Sequence, residues 1–314
     1  MSSPLATSYL PPPALGQYRR DAIGGTDCGG YQLRGDDRHA GSRPLVSIVT
    51  VVRNGIATLG RAVESVLSQD YPAIEYIVVD GQSTDGSVEL LRSLERRIAL
   101  WTSEADDGIS DAFNKGIALA RGEVIGLLNC DDWYEAGAVR LAAEALERAS
   151  VDIACGKVQY WDGDTRTYLV TSAPALLERT MTVAHPTVFV RRQCYAKWGL
   201  FRLDFRLAMD YEWLLRAKAA GARFETIDQC LANMQGGGIG DRRWRRSQRE
   251  VARARAMHVA GANSALAYHS YVASSIVKGS VRRALDLVGL GSVRRWYHRW
   301  LSPVTVTMHR PPRR

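Results

Sequence analysis

Cysteine is scarce in this 314-residue chain, and its spacing fits no familiar motif. The five cysteines stand at positions 28, 130, 155, 194 and 230. An odd number without a C-x-x-C pair excludes a disulfide framework and the common zinc motifs. We therefore expect reduced thiols, as in a cytoplasmic protein.

Long apolar runs are also missing. The sequence contains no stretch of about 18 consecutive apolar residues, which excludes a membrane-spanning helix by the usual length criterion. The first residues do not show a basic segment followed by an apolar one, so we expect no secretion signal. With 46% hydrophobic residues, the chain still has enough apolar side chains for a folded core.

Acidic residues are nearly absent from the end of the chain. Positions 242–314 hold 16 basic and 2 acidic residues, whereas the rest holds 25 basic and 31 acidic. Trp296, Tyr297 and Trp300 stand among these bases. We predict a basic helical extension over 242–314 that binds an anionic membrane surface peripherally, on the inner face of the cell membrane. Packing of residues 262–288 on the protein body is an equally good interpretation.

Residues 1–43 are rich in Pro, Gly, Ser and Asp, and we predict that they are disordered. The glycine-rich segment 24–30 has no apolar strand before it and no helical pattern after it. It therefore does not meet the structural context of a phosphate-binding loop.

Alternating strands and helices are predicted between residues 44 and 150. Apolar, β-branched runs predict strands at 45–52, 74–79, 98–102 and 124–128. Helical periodicity predicts helices that start near 58, 88, 109 and 136. This alternation predicts right-handed βαβ units around a parallel sheet.

Polar residues follow two of these predicted strands. Asp80 ends the second strand, and Asn129 ends the fourth, shortly before Asp131 and Asp132. Ligands of open α/β sheets bind beyond the carboxyl ends of the strands, so we expect these side chains to face a ligand. Two alternatives stay open: one of the last two acids caps the next helix, and the 83–85 segment only forms a turn.

Four segments occur in the order in which family 2 glycosyltransferases have them: 46–50, 78–87, 107–116 and 127–132. The chain resembles this family, and its bacterial polysaccharide-assembly members in particular, over about residues 45–240. The resemblance implies an α/β fold of the GT-A type, which is Rossmann-like with a mostly parallel sheet and flanking helices. Residues 44–241 would form this catalytic domain, with a nucleotide-sugar-binding half at 44–150 and an acceptor half at 151–241.

The resemblance also implies site residues. Asp80 would hold the nucleobase, usually uracil, and Asp131 would bind a divalent cation, Mg²⁺ or Mn²⁺. Gly81 and Asn129 stand where the family often has further acids. Lys115 would contact the diphosphate, although a solvated helix charge is at least as good an interpretation. The implied donor-binding residues are Thr50, Asn54, Asp80, Ser83, Asp107, Lys115, Asn129 and Asp131.

The acceptor half holds the implied catalytic base. Asp210 begins a predicted amphipathic helix and matches the family's general base, with Glu212 as the alternative. The resemblance places His185 and Asp132 beside the active site, although a lone histidine before a proline is often structural. The glycine-rich segment 235–240 is either a linker or a lid over the sugar nucleotide.

We expect an inverting, metal-dependent glycosyltransferase that moves a sugar from a nucleoside-diphosphate sugar, with UDP-sugars favoured, to a hydroxyl of a glycan or lipid-linked glycan. This would be a step of cell-surface polysaccharide assembly. A non-catalytic protein that binds a nucleotide sugar or glycan is the alternative. A nucleotidyltransferase is disfavoured because its glycine-rich first loop is lacking. A nucleic-acid partner is not expected, because base-stacking motifs are lacking.

Overall fold

The computed structural model describes residues 11–15, 18, 27–36, 43–263, 265, 268, 269, 273 and 306–308. In these residues the strands are β1 (Asp27–Gly29), β2 (Val46–Val52), β3 (Ile74–Asp80), β4 (Leu100–Ser103), β5 (Val124–Asn129), β6 (Trp133–Tyr134), β7 (Ile153–Asp162), β8 (Thr165–Thr171), β9 (Phe189–Arg191), β10 (Phe224–Gln235) and β11 (Val306–Met308). The α-helices are α1 (Ile56–Leu67), α2 (Ser87–Ser93), α3 (Ile109–Leu119), α4 (Ala138–Arg148), α5 (Arg192–Trp198), α6 (Met209–Ala219), α7 (Ile239–Arg242) and α8 (Trp244–His258).

One mixed sheet organises the described residues, with strand order β1-β4-β3-β2-β5-β9-β7-β10-β6. Strands β4, β3, β2 and β5 pair in parallel, as predicted. Strand β2 lies between β3 and β5, and Val52 pairs with Asp80 while Val51 pairs with Asn129. The carboxyl ends of β3 and β5 therefore meet at one edge of the sheet.

The second half continues the same sheet with a change of direction. Strand β9 pairs antiparallel with both β5 and β7, and β10 then pairs in parallel with β7. The predicted hairpin is present as β7 and β8. Strand β10 was not predicted; a register shift between Thr226 and Cys230 interrupts its pairing and its alternation of buried and exposed residues.

Each face of the sheet is covered by helices. Helices α1, α2 and α4 contribute Leu59, Leu91 and Leu146 to the core on one face. Helices α3, α6 and α8 contribute Phe113, Trp213 and Val251 to the core on the other. These buried side chains explain the helical periodicity of the sequence, because one stripe of each helix must be covered.

Both predicted domain boundaries need correction. Residues 27–36 are not disordered, since β1 pairs with β4 and Tyr31 is buried. At the other end, α8 lies inside the predicted basic extension, but it packs on α6 as part of the folded body. Most of the extension beyond residue 263 lies outside the described residues, including the aromatic and basic segment 294–300. Among the described helices, none has the length and apolar character needed to cross a membrane.

Candidate active site

Two buried oxygens lie unpaired at the edge of the sheet where β3 and β5 end. Asp80 is fully buried, and its Oδ1 has no hydrogen-bond partner among the described residues. The same holds for Oδ1 of Asn129. A buried acceptor without a partner costs about 1–3 kcal/mol, so natural proteins rarely keep one without a reason. Strand β2 lies between β3 and β5, so the backbones at Asp80 and Asn129 are two strand spacings, about 10 Å, apart.

The other oxygen of Asp80 is held firmly. Its Oδ2 accepts hydrogen bonds from the backbone N–H of Ser83 at 2.8 Å and from the hydroxyl of Ser103 at 2.6 Å. These bonds fix the carboxylate plane. Oδ1 is therefore left in a defined position as a free acceptor.

The loops after β2 and β3 are joined to each other. Asn54 has a positive φ of 53°, and its N–H donates to Ser83 Oγ at 2.7 Å while its Oδ1 accepts from Thr84 N–H at 2.9 Å. Asp85 caps α1 from the neighbouring loop by accepting from Ile56 N–H at 2.9 Å. Its pKa is lowered by this backbone bond and by the bond from the Ser87 hydroxyl. Asp85 thus caps α1 and forms a turn with Ser87, while Asn54 and Ser83 hold the loop beside Asp80.

Thr50 does not reach this site. It is fully buried two residues before the end of β2, and its hydroxyl accepts a bond from the Tyr76 hydroxyl at 3.1 Å. The structure therefore gives no support to the implied donor-binding role of Thr50, which stays a prediction. The side chain lies within the core layer rather than beyond the strand end.

Asp106 lies where a second acid beside Asp80 would stand. A Cβ built on Gly81 would collide with Asp106 Oδ2, so the Asp106 carboxylate fills the space that a side chain at 81 would take. Asp106 Oδ1 also accepts from Gly108 N–H at 2.7 Å. The neighbouring Asp107 is exposed, and its N–H donates to Asp111 Oδ2 at 3.1 Å. The resemblance implied Asp107 from this acidic run, whereas only the packing against Gly81 identifies Asp106.

The segment after β5 places three polar groups in different environments. Asp131 is partly exposed at the mouth of the site, whereas Asp132 is 2% exposed and accepts from Asn129 Nδ2 at 3.0 Å. Burial and the charge of Asp131 raise the pKa of Asp132 well above its ordinary value. Burial, with Asp131, also raises the pKa of the Cys130 thiol to about 12, so it stays protonated.

Arg61 of α1 brings a positive charge to this segment. Its guanidinium lies 3.6 Å from the centroid of the Trp133 ring, and Nη2 donates to the Asp131 carbonyl at 3.3 Å. A stacked arginine keeps free N–H groups at its edge. No sequence pattern indicates Arg61, since only the packing of α1 on β6 brings it beside Asp131.

The donor set at this edge fits Mg²⁺ or Mn²⁺ bound together with a diphosphate. Mg²⁺ usually takes one or two protein carboxylates and fills its other positions with phosphate oxygens and water. Asp131 supplies an accessible carboxylate, and the unpaired Asn129 oxygen lies on the same strand end. In the described residues, no three His, Cys, Asp or Glu side chains form a cluster of their own for a metal.

The amino group of Lys115 forms ion pairs with two carboxylates of the chain. Its Nζ lies 2.9 Å from Glu104 Oε1 and 3.4 Å from Asp111 Oδ2, and it donates to the Ala105 carbonyl at 2.7 Å. Burial lowers its pKa, but Glu104 and Asp111 raise it by more. The structure thus gives Lys115 a role in holding the 104–105 loop and does not support the implied contact with the diphosphate.

Helix α3 also holds the aromatic loop before α6. The side-chain amide of Asn114 donates to the Phe201 carbonyl and accepts from the Phe201 N–H, both at 2.9 Å. The Ser110 hydroxyl donates to the Phe205 carbonyl at 2.7 Å. These buried bonds give the polar residues of the 107–116 segment a scaffolding role, since they fix the loop that leads to Asp210.

Asp210 and His185 form a second polar group near the end of β5. They line one small cavity together with Leu127, which lies two residues before Asn129. Burial raises the pKa of Asp210 above the ordinary carboxyl range, and His185 partly opposes this. Burial lowers the pKa of His185, whose Nε2 has no partner among the described residues. A carboxylate with a raised pKa at a cleft is suited to accept a proton.

Glu212 lies on the other side of α6 and cannot be the alternative base. It is fully buried, with Oε1 at 2.8 Å from His258 Nε2 and Oε2 at 3.1 Å from Arg216 Nη2. Burial raises its pKa, but His258 and Arg216 lower it by more. Residues two apart on a helix differ by about 200° in direction, so Glu212 faces α8 while Asp210 faces the site.

The glycine-rich segment 235–240 begins at the site. A backbone N–H of Gln235 stabilises the Asp132 carboxylate, and the Gly236 N–H donates to the Trp161 carbonyl at 2.8 Å. Residue 239 then begins α7. The segment is therefore anchored next to Asp132 at its first residue, which is where a lid would need its hinge.

Comparison with known proteins agrees with this geometry. The family model described as "Glycosyl transferase family 2" matches residues 47–213, which include Asp80, Asn129, Asp131 and Asp210. The glycosyltransferase Rv1514c of Mycobacterium tuberculosis is 34% identical over 210 residues, covering 64% of this chain and 79% of that protein. This chain belongs to glycosyltransferase family 2. The predicted family is thereby confirmed.

Other relatives and solved structures of this glycosyltransferase are more distant. EpsJ of Bacillus subtilis, described as a glycosyltransferase, is 30% identical over 208 residues and 60% of each chain. The mannosyltransferase PcManGT of Pyrobaculum calidifontis, in complex with GDP-Man and Mn²⁺, has a TM-score of 0.57 at 17% identity, over 85% of this chain and 86% of that chain. S. aureus TarS in complex with UDP has a TM-score of 0.56 at 18% identity, over 71% and 68%. These structures confirm the predicted fold class.

Proposed function

We propose that this glycosyltransferase moves a sugar, with inversion, from a nucleoside-diphosphate sugar to a hydroxyl of a glycan or lipid-linked glycan. The observation that carries the proposal is the pair of unpaired buried oxygens, on Asp80 and Asn129, at the edge of the sheet where Asp131 also lies. Asp210 lies on the adjacent side of the β5 end with a raised pKa. The donor groups and the base therefore lie near the same end of β5.

The donor residues have separate roles in this proposal. Asp80 Oδ1 accepts a ring N–H of the base, and Asp106 lies beside it as a further acceptor. Asn129 accepts from a ribose hydroxyl. Asn54 and Ser83 hold the loops that close the nucleoside site. Arg61 lies beside Asp131, where its free N–H groups face the diphosphate.

Asp131 would hold a divalent cation, which would supply positive charge to the leaving nucleoside diphosphate. Asp210 accepts the proton of the attacking acceptor hydroxyl, and its raised pKa strengthens it as a base. His185, in the segment before β9, lies close enough to Asp210 to lower its pKa. Asp132 holds the Asn129 side chain by accepting a hydrogen bond from its Nδ2. The two halves of the sheet hold donor and acceptor in register, which removes much of the entropic barrier.

Solved structures with the same fold support a nucleotide-sugar donor. TarS has been solved with UDP and with UDP-GlcNAc, and PcManGT with GDP-Man and Mn²⁺. Two different bases occur among these complexes. The proposal of a uracil donor therefore rests on the resemblance to the family, in which this acid usually holds uracil.

The test is release of nucleoside diphosphate from UDP-, GDP- and dTDP-sugars with Mn²⁺, followed by NMR of the product's anomeric configuration. We expect release from a UDP-sugar and an anomeric configuration opposite to that of the donor. Binding of a donor without release, with any acceptor tried, would instead support the non-catalytic binding protein. Retention of configuration would contradict the direct displacement assisted by Asp210.

We also propose that the protein is cytoplasmic and binds the inner face of the cell membrane through its basic extension. Nine basic residues follow α8 in the sequence, and they support this, since each base near an anionic surface contributes on the order of 1 kcal/mol. The full chain should co-sediment with phosphatidylglycerol vesicles at low salt and be released at high salt. A chain truncated after Gly291 should bind much less, and equal binding by both would contradict the proposal.

A further inference from the structure

Helix α8 comes from the basic end of the chain but makes specific contacts around α6. Arg253 Nη2 lies 2.8 Å from Asp204 Oδ2, and its guanidinium lies 3.9 Å from the centroid of the Phe205 ring. Arg255 Nε donates to the Glu178 carbonyl at 2.9 Å. A helix held by so many directed bonds has a fixed position relative to α6.

Glu250 of α8 binds the backbone just before Asp210. Its Oε2 accepts from three consecutive N–H groups, those of Arg206 at 2.9 Å, Leu207 at 2.8 Å and Ala208 at 3.0 Å. Glu250 is only 7% exposed, and Arg246 Nε lies 3.5 Å from its other oxygen. Bonds from backbone N–H groups to a buried carboxylate are about twice as strong as neutral ones.

These three N–H groups belong to the last residues before α6 begins at Met209. Asp210 is the second residue of the helix, so the direction of residues 206–208 determines where its side chain points. A misplacement of about 1 Å in a reacting group costs up to roughly 10²-fold in rate. A contact that fixes this turn therefore also fixes the position of the Asp210 carboxylate.

We propose that Glu250 is a positioning residue that acts through Asp210: its carboxylate fixes the turn 206–208 and so holds the base at the acceptor hydroxyl. The proposal rests on the role of Asp210 in the proposed function. It also assigns α8 to the catalytic domain, since a residue of this helix supports the site.

The charge of Glu250 adds a second effect. Burial is the largest cause of the raised Asp210 pKa, and Glu250 raises it further, while His185 lowers it. Arg246, paired with Glu250, is the charged group beside it on α8. Because the base acts when deprotonated, removal of the Glu250 charge should move the acid limb of the kcat profile to lower pH.

Two variants separate position from charge. Glu250→Gln keeps an acceptor oxygen for the three N–H groups but removes the charge, whereas Glu250→Ala removes both. Arg255→Ala is the matched control, since it removes another α8 contact without touching residues 206–208. The assay is nucleoside diphosphate release from the donor that the wild type turns over, measured across pH together with thermal unfolding.

We expect Glu250→Ala to lower kcat roughly 10- to 100-fold while donor KM stays nearly constant, because the donor residues lie on the other side of the cleft. Glu250→Gln should keep most of the maximal kcat of the wild type. The acid limb of its kcat–pH profile should lie at lower pH than that of the wild type. Arg255→Ala should change neither. A wild-type kcat in Glu250→Ala, or a loss of kcat with the same pH profile in all three variants, would overturn the proposal.

A donor-free measurement distinguishes this proposal from the proposed function. Amide exchange by NMR should speed up at residues 206–208 in Glu250→Ala, and the ¹³C-detected pKa of Asp210 should fall in Glu250→Gln. If both respond but the wild type releases no nucleoside diphosphate, the proposed function fails while the contact stands. If neither responds, the positioning proposal fails, whatever the enzyme turns over.

Discussion

The sheet edge at Asp80 and Asn129 and the region between α6 and α8 both bury polar side chains, but they differ in how these groups are paired. At the sheet edge, each residue keeps one buried oxygen without a partner in the described structure. Between the helices, Glu212 has His258 and Arg216, and Glu250 has three backbone N–H groups. The two regions lie in one folded unit and are made of similar residue types.

Among the acceptors of the two regions, this difference separates open groups from paired ones, although Nε of Arg253 in α8 also has no partner among the described residues. A scaffold must satisfy its polar atoms within the chain, because an unpaired buried acceptor costs stability. A binding site leaves acceptors open where a ligand will supply the donors. Asp210 lies between these cases, with one oxygen bonded to Tyr211 N–H at 2.7 Å and a raised pKa. Substitutions on the two sides should therefore differ in kind: binding and turnover on one side, stability on the other.

The largest expected effect is on turnover at Asp210. Asp210→Asn keeps the shape of the side chain but removes the proton acceptor, so sugar transfer should fall by roughly 10²–10⁴. Donor affinity by calorimetry should stay close to that of the wild type. Glu178→Gln, at an exposed carboxylate in the acceptor half, is the matched control and should retain activity. Near-normal turnover by Asp210→Asn would mean that another group is the base.

The next effect is on stability at Glu212. Removing one partner of a buried ion pair costs about 3–5 kcal/mol, because the remaining charge is left without compensation. Glu212→Ala should therefore lower the free energy of unfolding by about this amount in denaturant titrations. Arg216 and His258 would be left behind, 12% and 15% exposed. A stability equal to that of the wild type would place Glu212 among the functional groups instead.

The same pair predicts a pH dependence. The folded state lowers the pKa of Glu212, so its contribution is complete above the ordinary carboxyl range and is lost as the pH falls through the folded-state value. The stability gap between wild type and Glu212→Ala should then narrow on acidification below about pH 4. A gap that widens with acid would contradict this sign.

Local sequence patterns predicted the donor half well. The apolar runs of β2, β3 and β5 end within one residue of the predicted positions, because a buried parallel strand needs a continuous apolar stretch. Asp80 and Asn129 followed from the rule that ligands bind at carboxyl ends of strands, and register confirmed their common edge. Both depend on short-range information.

The missed features depend on contacts distant in sequence. Asp106 matters because it fills the space at Gly81, and Glu250 because it meets residues 206–208 some forty positions earlier. Strand β10 was not predicted because a register shift interrupts its alternation of buried and exposed residues. Strand β1 was not predicted because a strand of three residues at the edge of a sheet is too short to show an alternating hydrophobic pattern. None of these contacts produces a periodic pattern in the sequence, so the sequence alone does not predict them.

A smaller effect concerns the cation at Asp131. Asp131→Ala should weaken donor binding in Mn²⁺ at least about tenfold, since loss of even an outer partner of a metal ligand typically costs that much. In EDTA the wild type should bind the donor as weakly as the variant. Calorimetry with UDP in both conditions measures this. Should neither EDTA nor the substitution change the affinity, Asp131 is not a metal ligand.

The smallest effect is expected at Lys115, and it tests the boundary between the two regions. Its amino group is engaged by Glu104, Asp111 and the Ala105 carbonyl, and it is only 18% exposed. Lys115→Ala should leave donor KM nearly constant and lower stability by about 1 kcal/mol, the value of a modest, partly screened pair. Lys115→Met, which keeps the apolar length, is the matched control for packing. A donor KM raised tenfold or more in either variant would contradict this prediction. It would mean that Lys115 leaves Glu104 and Asp111 to contact the diphosphate when the donor binds.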